Sequence, residues 1–319
     1  MSDRAIATVT LNPSVDMPLA LDELHLGETN RCASSALDPG GKGINASRVI
    51  RRLGGETIAL GFMGGATGQL LRNRLDEERV PHAFDEIEGS TRIDVMLFER
   101  TLKRRTRLLS QGPSVEPRHM EALRSRLARV EPGDVVVLGG SVPPGVAPAI
   151  YRDLVAWLGE RGARCIIDAS GDALATVLEA RPAMIKPNEE EAAQVLGRTL
   201  SGERETIEAA YELRERGARA VVVSMGADGA IGVDETGAWR ASVPSVAVHS
   251  TVGSGDSMVG GLALALSRRA SFAEALRLGA AAGTATAMTP QRELCRLDDV
   301  EWLLPQIVVA ECSTARRSA

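Results

Sequence analysis

Short, continuously apolar runs alternate with helical patterns along most of this 319-residue chain. Runs of this kind predict strands that are buried on both faces, and their alternation with helices predicts a mainly parallel sheet with helices on both faces. The fold class is therefore expected to be α/β. Ligands of such sheets bind beyond the carboxyl ends of the strands. The predicted strands are 5–11, 135–138, 165–168, 183–186 and 221–224, and the predicted helices are 150–160, 189–196 and 204–216.

Two segments depart from this alternation. Residues of about 17–38 and 89–110 carry short alternating patterns of apolar and polar side chains, which predict antiparallel strands outside the main sheet. Such strands would form a small β lid over the binding edge, with ordinary surface hairpins as the alternative. We expect one domain over residues 1–310 that includes both segments. Residues after about 305 offer no evident pairing partner, and 311–319 are expected to be a flexible tail.

Composition argues against several classes of function. The net charge of −5, the pI of about 5.6 and the aromatic content of 3% are unlike those of a nucleic-acid-binding surface. Four widely spaced cysteines without metal-ligand spacing predict reduced thiols, and no apolar run is long enough to span a membrane. The first residues lead into a strand rather than into a signal-peptide core. We expect a cytoplasmic protein that binds neither nucleic acid nor membranes.

The segment 251–257, with the sequence TVGSGDS, carries the most informative motif. Gly253, Ser254 and Gly255 allow a tight turn, and the apolar run that follows predicts a helix beginning here. The free N–H groups at a helix N-terminus bind anions. Asp256 beside them could accept a proton from a hydroxyl group while the N–H groups hold a phosphate, as phosphoryl transfer to an alcohol requires. The alternative is that Asp256 only caps the helix.

A glycine-rich loop, PGGKGIN at 39–45, precedes the first predicted helix. Its spacing matches neither the Walker A motif nor the dinucleotide-binding motif. Gly41 allows close approach of the backbone to a ligand, Lys42 adds a cation, and Asn45 adds a side-chain amide. These groups suit a small molecule that carries hydroxyls and negative charge. A tight loop into a helix is the alternative.

A third motif, KPNEEE at 186–191, joins a predicted strand to a predicted helix. Lys186 ends the strand, and Asn188 is a good N-cap for a helix that begins with acidic residues. Asn188 and Glu191 are three residues apart and so project to one side of the helix start. Their oxygen atoms could hold the water shell of Mg²⁺ beside phosphates, whereas a purely structural helix cap is the alternative.

Together these motifs resemble the PfkB (ribokinase-like) carbohydrate kinase family, from residue 10 to the region of Cys295. The chain is most similar to the phosphosugar branch, which includes the minor 6-phosphofructokinase type, 1-phosphofructokinase and tagatose-6-phosphate kinase. NPSVD at 12–16, GGATG at 64–68 and GSVPPG at 140–145 carry this closer similarity. Ser254 replaces the alanine usual in the family. Lys42 is usual in the 1-phosphofructokinase and tagatose-6-phosphate branches, whereas 165–171 and 250–252 favour the 6-phosphofructokinase type.

The resemblance implies a role for each matching residue. Asp256 would be the catalytic base, and the amides of Gly253, Ser254 and Gly255 would form the anion hole. The substrate-binding residues would be Asp16, Arg31, Gly41, Lys42, Asn45, Arg92 and Ser141, with Arg31 and Arg92 on the sugar phosphate. The ATP-binding residues would be Lys186, Asn188, Ser224, Gly226 and Gly229 near the phosphates and Ala280 and Thr284 near adenine. Glu191 would position Mg²⁺ through water, and a monovalent cation such as potassium would be held by Ser250, Val252, Thr286, Thr289, Gln291 and Glu293.

The activity that the resemblance implies is ATP-dependent phosphorylation of the C1 hydroxyl of fructose 6-phosphate. Fructose 1-phosphate and tagatose 6-phosphate are the alternative acceptors. An alternative of another class is a non-catalytic sugar-phosphate sensor on the same fold. A sensor has no need of a base, so Asp256 argues against it. The resemblance also implies a homodimer formed through the lid.

Overall fold

The computed structural model describes residues 5–34, 37–289 and 293–312. Its strands are β1 (Ile6–Thr10), β2 (Ser14–Leu21), β3 (Ala33–Ser34), β4 (Asp38–Gly40), β5 (Ile58–Met63), β6 (His82–Glu86), β7 (Arg92–Glu99), β8 (Arg104–Leu108), β9 (Val135–Gly139), β10 (Arg164–Asp168), β11 (Met184–Ile185), β12 (Val221–Ser224), β13 (Ala230–Val233), β14 (Ala238–Ser242) and β15 (Val308–Glu311). Its helices are α1 (Lys42–Arg52), α2 (Gly65–Glu77), α3 (Pro117–Leu127), α4 (Ile150–Gly159), α5 (Gly171–Val177), α6 (Glu189–Leu196), α7 (Gly202–Glu215), α8 (Ser254–Ser267), α9 (Phe272–Met288) and α10 (Leu297–Leu303).

Within these residues a ten-stranded sheet has the order β15-β14-β13-β12-β11-β10-β9-β1-β5-β6. The strands from β12 to β6 in that order pair in parallel, and β13, β14 and β15 add an antiparallel edge. The structure therefore confirms the predicted α/β class with a mainly parallel sheet.

Helices cover both faces of the large sheet, and strand β9 shows why its sequence is apolar throughout. Val136 and Leu138 pack into a core cluster with residues of α4 and α7, whereas Val135 and Val137 pack into a second cluster with residues of α8 and α9. Successive side chains of a strand point to opposite faces, so a strand covered on both sides favours apolar residues at every position. Burial on both faces explains why these strands are apolar runs in the sequence, and the strands were predicted from those runs.

The two segments predicted as a lid form a second sheet among the described residues, in the order β3-β2-β7-β8 with β4 also paired to β2. We call these five strands the small sheet. The expectation that its strands would all be antiparallel is wrong, because β2 and β7 pair in parallel over eight residues each. The reason lies in the main sheet: β2 follows β1 and β7 follows β6, and both parent strands run in the same direction. Both chain segments therefore leave the same sheet edge together.

The expectation that the chain after about residue 305 lacks a pairing partner is also wrong. Residues 308–311 form β15, which pairs antiparallel with β14 and places Glu311 opposite Trp239. The tail predicted from residue 311 thus begins inside a strand, and its residues 313–319 lie outside the described residues. None of the helices in the described ranges has the length and apolar character needed to cross a bilayer.

Candidate active site

Asp256 lies in the first turn of α8, where the chain enters the helix from the glycine motif. The N-cap residue of this helix is Gly253, with a φ of 84°, and no side chain caps the helix. The alternative that Asp256 is merely an N-cap is therefore wrong. Its carboxylate Oδ2 instead accepts a hydrogen bond of 2.8 Å from the side-chain amide of Asn45 on α1. The contact joins residues 211 positions apart in the chain.

The glycines before Asp256 keep space open around the helix start. A φ of 84° at Gly253 belongs to the left-handed region, which favours glycine. A Cβ atom on Gly255 would lie 3.4 Å from the ammonium nitrogen of Lys186. The first amides of a helix lack intrahelical acceptors and form an anion site. The sequence-predicted anion hole and Lys186 are thus neighbours, with no side chain between them at Gly255.

Two lysines and a carboxylate form a buried cluster beside this helix start. Lys42 Nζ lies 2.8 Å from Asp168 Oδ1, and Lys186 Nζ lies 3.6 Å from the same oxygen. Burial would raise the pKa of Asp168, but Lys186 and Lys42 together hold it below its ordinary value. Burial would lower the pKa of Lys42, but Asp168 and Asp256 raise it. Lys42 therefore remains charged, and a third carboxylate, Glu191, lies 4.0 Å from its Nζ atom.

Asp168 is a site residue to which sequence analysis assigned no role. It ends β10, and its side chain is almost wholly buried. A carboxylate directly after a buried parallel strand lies at the edge where ligands bind, and that position was the available signal. Its partners could not be read from the sequence, because Lys42 is 126 residues away.

The carboxyl group of Asp256 is suited to take up a proton. Burial raises its pKa, and the negative charge of Asp168 raises it further. Lys42, the hydrogen bond from Asn45, and Lys186 oppose this increase, but the net pKa remains above the ordinary value of aspartate. A general base is most effective when its pKa approaches the working pH, so this environment favours proton transfer.

Three of the predicted substrate-binding residues lie at or beside the glycine-rich loop: Asp16, Gly41 and Asn45. Asp16 on β2 is buried and accepts a 2.7 Å hydrogen bond from Ser14 Oγ. A Cβ atom on Gly40 would overlap the Asp16 carboxylate, so a larger residue there would displace that side chain. Gly41 follows with a φ of 121°, and Asn45 lies one turn into α1.

Arg92 at the start of β7 is held by several acceptors. Its guanidinium donates to the carbonyl oxygen of Asn12 at 3.1 and 3.3 Å and to that of Ser110 at 3.1 Å, and it lies 3.0 Å from the carboxylate of Asp94. Burial lowers the pKa of Arg92; Asp94 opposes this effect, and the nearby Arg107 adds to it. Two neighbouring guanidinium groups favour an anion, so this corner is suited to a phosphate.

Of the two remaining residues predicted to bind substrate, Ser141 is linked to Arg92 through hydrogen bonds, whereas Arg31 has no such link among the described residues. The side chain of Asn12, whose carbonyl oxygen binds Arg92, donates a 3.1 Å hydrogen bond to Ser141 Oγ. Ser141 therefore lies at the same corner as Arg92. Arg31 is exposed between β2 and β3, and within the described residues no hydrogen bond ties it to this corner.

The residues predicted to line the ATP phosphates follow β11 and β12. Asn188 and Glu191 form a capping box, with hydrogen bonds of 2.7 and 2.9 Å between the side chain of each and the backbone N–H of the other. Asn188 also pairs with Ser224 in a short parallel bridge. Gly226 and Gly229 have φ values of 57° and 84°, and a Cβ atom on Gly229 would overlap the backbone of β14. Beside the predicted adenine site, Thr284 is partly buried on α9, whereas Ala280 is 1% exposed and packs in the core.

The segments predicted to hold a monovalent cation are joined by backbone hydrogen bonds. The amides of His249 and Ser250 both donate to the carbonyl oxygen of Ala287, at 2.9 and 3.4 Å. The carbonyl oxygen of Thr286 accepts from the amide of Thr289 at 3.1 Å and from its hydroxyl at 2.8 Å. These residues therefore belong to one structural unit at the end of α9.

Of the remaining residues predicted to hold the cation, Val252 and Glu293 form hydrogen bonds within the loop. The amide of Val252 donates to Ser250 Oγ at 3.3 Å, and the carbonyl oxygen of Glu293 accepts a short hydrogen bond from Thr289 Oγ1. Gln291 lies outside the described residues. Ser254 Oγ is buried without a hydrogen-bond partner among the described residues.

Comparison with known proteins identifies one family. The model of pfkB family carbohydrate kinases matches residues 10–296. 1-Phosphofructokinase from Bacillus subtilis is 36% identical over 304 residues, which are 95% of this chain and 99% of that protein. ATP-dependent 6-phosphofructokinase isozyme 2 from Escherichia coli is 36% identical over 298 residues, or 93% and 96% of the two chains. Tagatose-6-phosphate kinase from Staphylococcus epidermidis is 34% identical over 310 residues, or 96% and 99%.

Solved structures agree with these relatives. The crystal structure of phosphofructokinase-2 from Escherichia coli in complex with potassium superposes with a TM-score of 0.90 at 35% identity, and the match covers 95% of this chain and 99% of that chain. The tetrameric inhibited form of the same enzyme has a TM-score of 0.88 at the same identity and coverage. The similarity thus extends over nearly the whole chain in both sequence and fold.

Proposed function

The chain belongs to the pfkB family of carbohydrate kinases and is a sugar-phosphate kinase of the phosphofructokinase type, and we propose that its acceptor is the C1 hydroxyl of fructose 6-phosphate, with ATP as the donor. The hydrogen bond between Asn45 and Asp256 carries this proposal. It joins a carboxylate of raised pKa at the start of α8 to the glycine-rich loop side of α1, where the proposed anion hole and the proposed sugar-binding residues would meet. A base in this position is required for phosphoryl transfer to an alcohol.

In the proposed mechanism, Asp256 takes the proton from the C1 hydroxyl as that oxygen attacks the γ-phosphorus of ATP, and the bond from this phosphorus to the bridging oxygen breaks to release ADP. Amides at the start of α8 donate to the phosphoryl oxygens, where negative charge is concentrated during transfer. Lys186, whose Nζ atom lies near Gly255, and Lys42, which shares Asp168 with it, would counter the same charge. Asp16 and Asn45 would orient the sugar hydroxyls, because a carboxylate accepts hydrogen bonds from hydroxyl groups and a side-chain amide can both donate and accept.

A phosphate on the acceptor is supported by the corner around Arg92. A neutral sugar would not require a partly buried guanidinium with a second guanidinium near it. Ser141, which is linked to the same corner through Asn12, would add a hydroxyl donor. Arg31 is retained as a proposed phosphate ligand that would reach the site on closure of the small sheet.

The identity of the phosphosugar is the finer part of the proposal. The relatives include a 1-phosphofructokinase and a tagatose-6-phosphate kinase at similar identity, so fructose 1-phosphate and tagatose 6-phosphate are the competing acceptors. Lys42 resembles the residue usual in the branches that use those acceptors. The segments 165–171 and 250–252 instead resemble the 6-phosphofructokinase type, which favours fructose 6-phosphate. A non-catalytic sensor would not require the raised pKa of Asp256.

A divalent cation fits the donor chemistry near Glu191. Carboxylate oxygen is the ligand that Mg²⁺ prefers, and this carboxylate is partly exposed, as contact through water requires. Glu191, with Asn188 and Ser224 beside it, would hold hydrated Mg²⁺ against the ATP phosphates. When bound, Mg²⁺ would neutralise charge on the transferred phosphoryl group.

The predicted cation loop fits a monovalent ion because its available donors are mainly oxygen atoms of the backbone and of serine and threonine. The buried, unpartnered Ser254 Oγ lies in the motif that this loop supports. We assign potassium to this loop by analogy with the relative that was solved with potassium. Such an ion would stabilise the turn into α8 without contacting the substrate.

Self-association through the small sheet is part of the proposal. This sheet and its turns expose several large apolar side chains, namely Phe98, Leu102, Leu108 and Leu109. Exposed apolar groups concentrated on one element favour an interface between copies. We propose a homodimer as the basic unit, although phosphofructokinase-2 from Escherichia coli also has a tetrameric form.

An acceptor screen tests the proposed function. Purified protein is assayed with ATP and Mg²⁺ against fructose 6-phosphate, fructose 1-phosphate, tagatose 6-phosphate and unphosphorylated fructose. The expected result is the highest kcat/KM with fructose 6-phosphate, and NMR of the product should place the new phosphate on C1. A higher kcat/KM with another phosphosugar would reassign the acceptor, and binding without turnover would favour the sensor.

A further inference from the structure

The amide of Asn45 that binds the proposed base is itself held by a buried arginine. Arg48 lies one turn further along α1, is 5% exposed, and donates from Nη1 to Asn45 Oδ1 at 3.2 Å. Residues three apart on a helix lie on the same side, which makes this contact possible. The guanidinium therefore lies behind the amide, on the side away from Asp256.

Hydrogen-bonding chemistry allows only one orientation of this amide. A guanidinium has N–H donors and no acceptor, so the Asn45 atom that faces Arg48 must be the oxygen. The NH₂ group then faces the carboxylate of Asp256, which accepts when it is ionised. If the amide were reversed, its NH₂ group would face the N–H donor of Arg48, and its oxygen would face the carboxylate oxygen of Asp256. Neither pair could form a hydrogen bond while Asp256 is ionised. Arg48 thus selects the orientation that Asp256 requires.

A second carboxylate holds Arg48 in place. Glu78, which directly follows α2, receives two hydrogen bonds from the guanidinium: Nε to Oε2 at 2.8 Å and Nη2 to Oε1 at 2.5 Å. Paired bonds of this kind fix both the position and the plane of an arginine side chain. The Nη1 atom also approaches the carbonyl oxygen of Pro39 in the glycine-rich loop, at 3.4 Å. The guanidinium plane is therefore determined from two sides.

Glu78 is also linked to the loop beyond α9. Arg52, one turn after Arg48 on α1, lies 3.5 Å from Glu78 Oε2 and donates to the carbonyl oxygen of Leu294 at 2.7 Å. Burial would raise the pKa of Glu78, but Arg48 and Arg52 hold it below its ordinary value. Glu78 is therefore ionised at neutral pH, as the anchor of a buried arginine must be.

We propose that Arg48, anchored by Glu78, is a positioning residue for the transfer reaction: it fixes the Asn45 amide and thereby orients the carboxylate of Asp256 towards the acceptor hydroxyl. This inference rests on the proposed function for its kinetic consequence, although the chain of contacts from Glu78 to Asp256 does not. Neither Arg48 nor Glu78 touches the substrate. Both act through Asn45, and a misdirected base slows transfer without abolishing binding.

The kinetic test is a double-mutant cycle. Arg48→Met keeps a long side chain but removes the donor, and we expect kcat to fall about tenfold or more, with KM for ATP changed less than about twofold. In the Asn45→Ala background the same substitution should change kcat by less than about twofold, because the intermediary is already missing. Equal effects of Arg48→Met in both backgrounds would show that Arg48 does not act through Asn45 and would overturn the proposal.

Arg51→Met is the matched control. Arg51 lies on the same helix and forms an ion pair with Glu56 at 2.6 Å; Glu56 is exposed, Arg51 is partly buried, and no hydrogen bond links Arg51 to Asn45 among the described residues. Its kcat should equal that of the wild type. If Arg48→Met does not fold, Glu78→Gln replaces it. The amide preserves the shape of the anchor but removes its charge, and a smaller decrease in kcat with unchanged KM for ATP is expected. An unchanged kcat in folded Glu78→Gln would equally contradict the proposal.

A second readout requires no turnover. Selectively ¹³C-labelled aspartate reports the titration of Asp256, whose charged and polar neighbours are Lys42, Asp168, Lys186 and Asn45. Loss of the oriented Asn45 donor should raise the pKa of Asp256 in both Asn45→Ala and Arg48→Met and leave it unchanged in Arg51→Met. An unmoved titration in folded Arg48→Met would refute the positioning role. If the shift occurs but the wild type phosphorylates no sugar, the positioning role stands and only the proposed function fails.

Discussion

Arg105 on β8 of the small sheet donates from Nη2 to the backbone carbonyl oxygen of His249, 3.1 Å away. His249 lies in the segment that leads into the glycine motif before Asp256. The same guanidinium lies over the ring of Phe98 on β7, 5.8 Å from its centre. The small sheet is therefore tied directly to the chain that enters the proposed anion hole, which suggests that closure of this sheet and the geometry of the hole are coupled.

Arg105→Ala should weaken this connection. We expect ATP hydrolysis by water to increase relative to transfer to the acceptor by about threefold to tenfold, because a looser small sheet admits water to the site. The ratio of ADP to phosphosugar product measures the effect. Arg100→Ala is the control, since Arg100 pairs with Asp22 at an exposed position of the same sheet. An unchanged ratio would mean that the Arg105 contact plays no part in excluding water.

Asp256→Asn should decrease kcat by about two to four orders of magnitude, because the amide cannot accept the proton from the acceptor hydroxyl. Asparagine has nearly the same shape, and its carbonyl oxygen can still accept from Asn45, so the circular dichroism spectrum should match that of the wild type. Steady-state kinetics with saturating substrates measure the change. A kcat within threefold of the wild type would show that Asp256 is not the base.

The same substitution should stabilise the fold at neutral pH. Burial, followed by the charge of Asp168, raises the pKa of Asp256, so the folded state binds its proton more tightly than the unfolded state does. The ionised carboxylate therefore destabilises the fold. This destabilisation is absent at pH values below the pKa that Asp256 has in the unfolded state, and it is complete above the pKa that Asp256 has in the folded state. Asp256→Asn should therefore raise the Tm by a few degrees at pH 8 and by less at pH 5. Thermal unfolding at the two pH values measures this, and an equal shift at both would contradict it.

Arg92→Ala should raise KM for fructose 6-phosphate by about 10- to 100-fold, because it removes a charge-assisted contact with the sugar phosphate. KM for ATP should change far less, since Arg92 lies on the small sheet and not beside the proposed ATP residues. Arg100→Ala again serves as the control. Equal use of unphosphorylated fructose by the wild type would remove the basis for a phosphate site at Arg92.

Potassium should raise kcat relative to sodium or tetramethylammonium at equal ionic strength. A large monovalent ion among the carbonyl and hydroxyl oxygens of Ser250 and Thr286 would stabilise the turn before Asp256. Initial rates in the three chloride salts, each at saturating ATP and Mg²⁺, make the comparison. Identical rates in potassium and tetramethylammonium would indicate that the loop is stabilised by its own hydrogen bonds.

Local sequence patterns predicted most of the elements that position the site. Strand β12 and helix α6 have the bounds that were expected, 221–224 and 189–196. A buried strand requires an uninterrupted apolar run, and the capping residues Asn188 and Glu191 are neighbours in sequence as well as in space. Such features depend on a few adjacent residues. They can therefore be predicted before the fold is known.

The sequence by itself determined the α/β class, the glycine turns and the set of residues from which a kinase site could be built. Only the tertiary structure decided how those residues are paired: β2 beside β7 in parallel, Asp168 between two lysines, and Arg48 behind Asn45. The contact between Asn45 and Asp256 joins positions 211 residues apart. Local propensity carries no information about such distances. The orientation of the proposed base and its raised pKa arise from burial and from charges that approach one another only when the sheet is assembled.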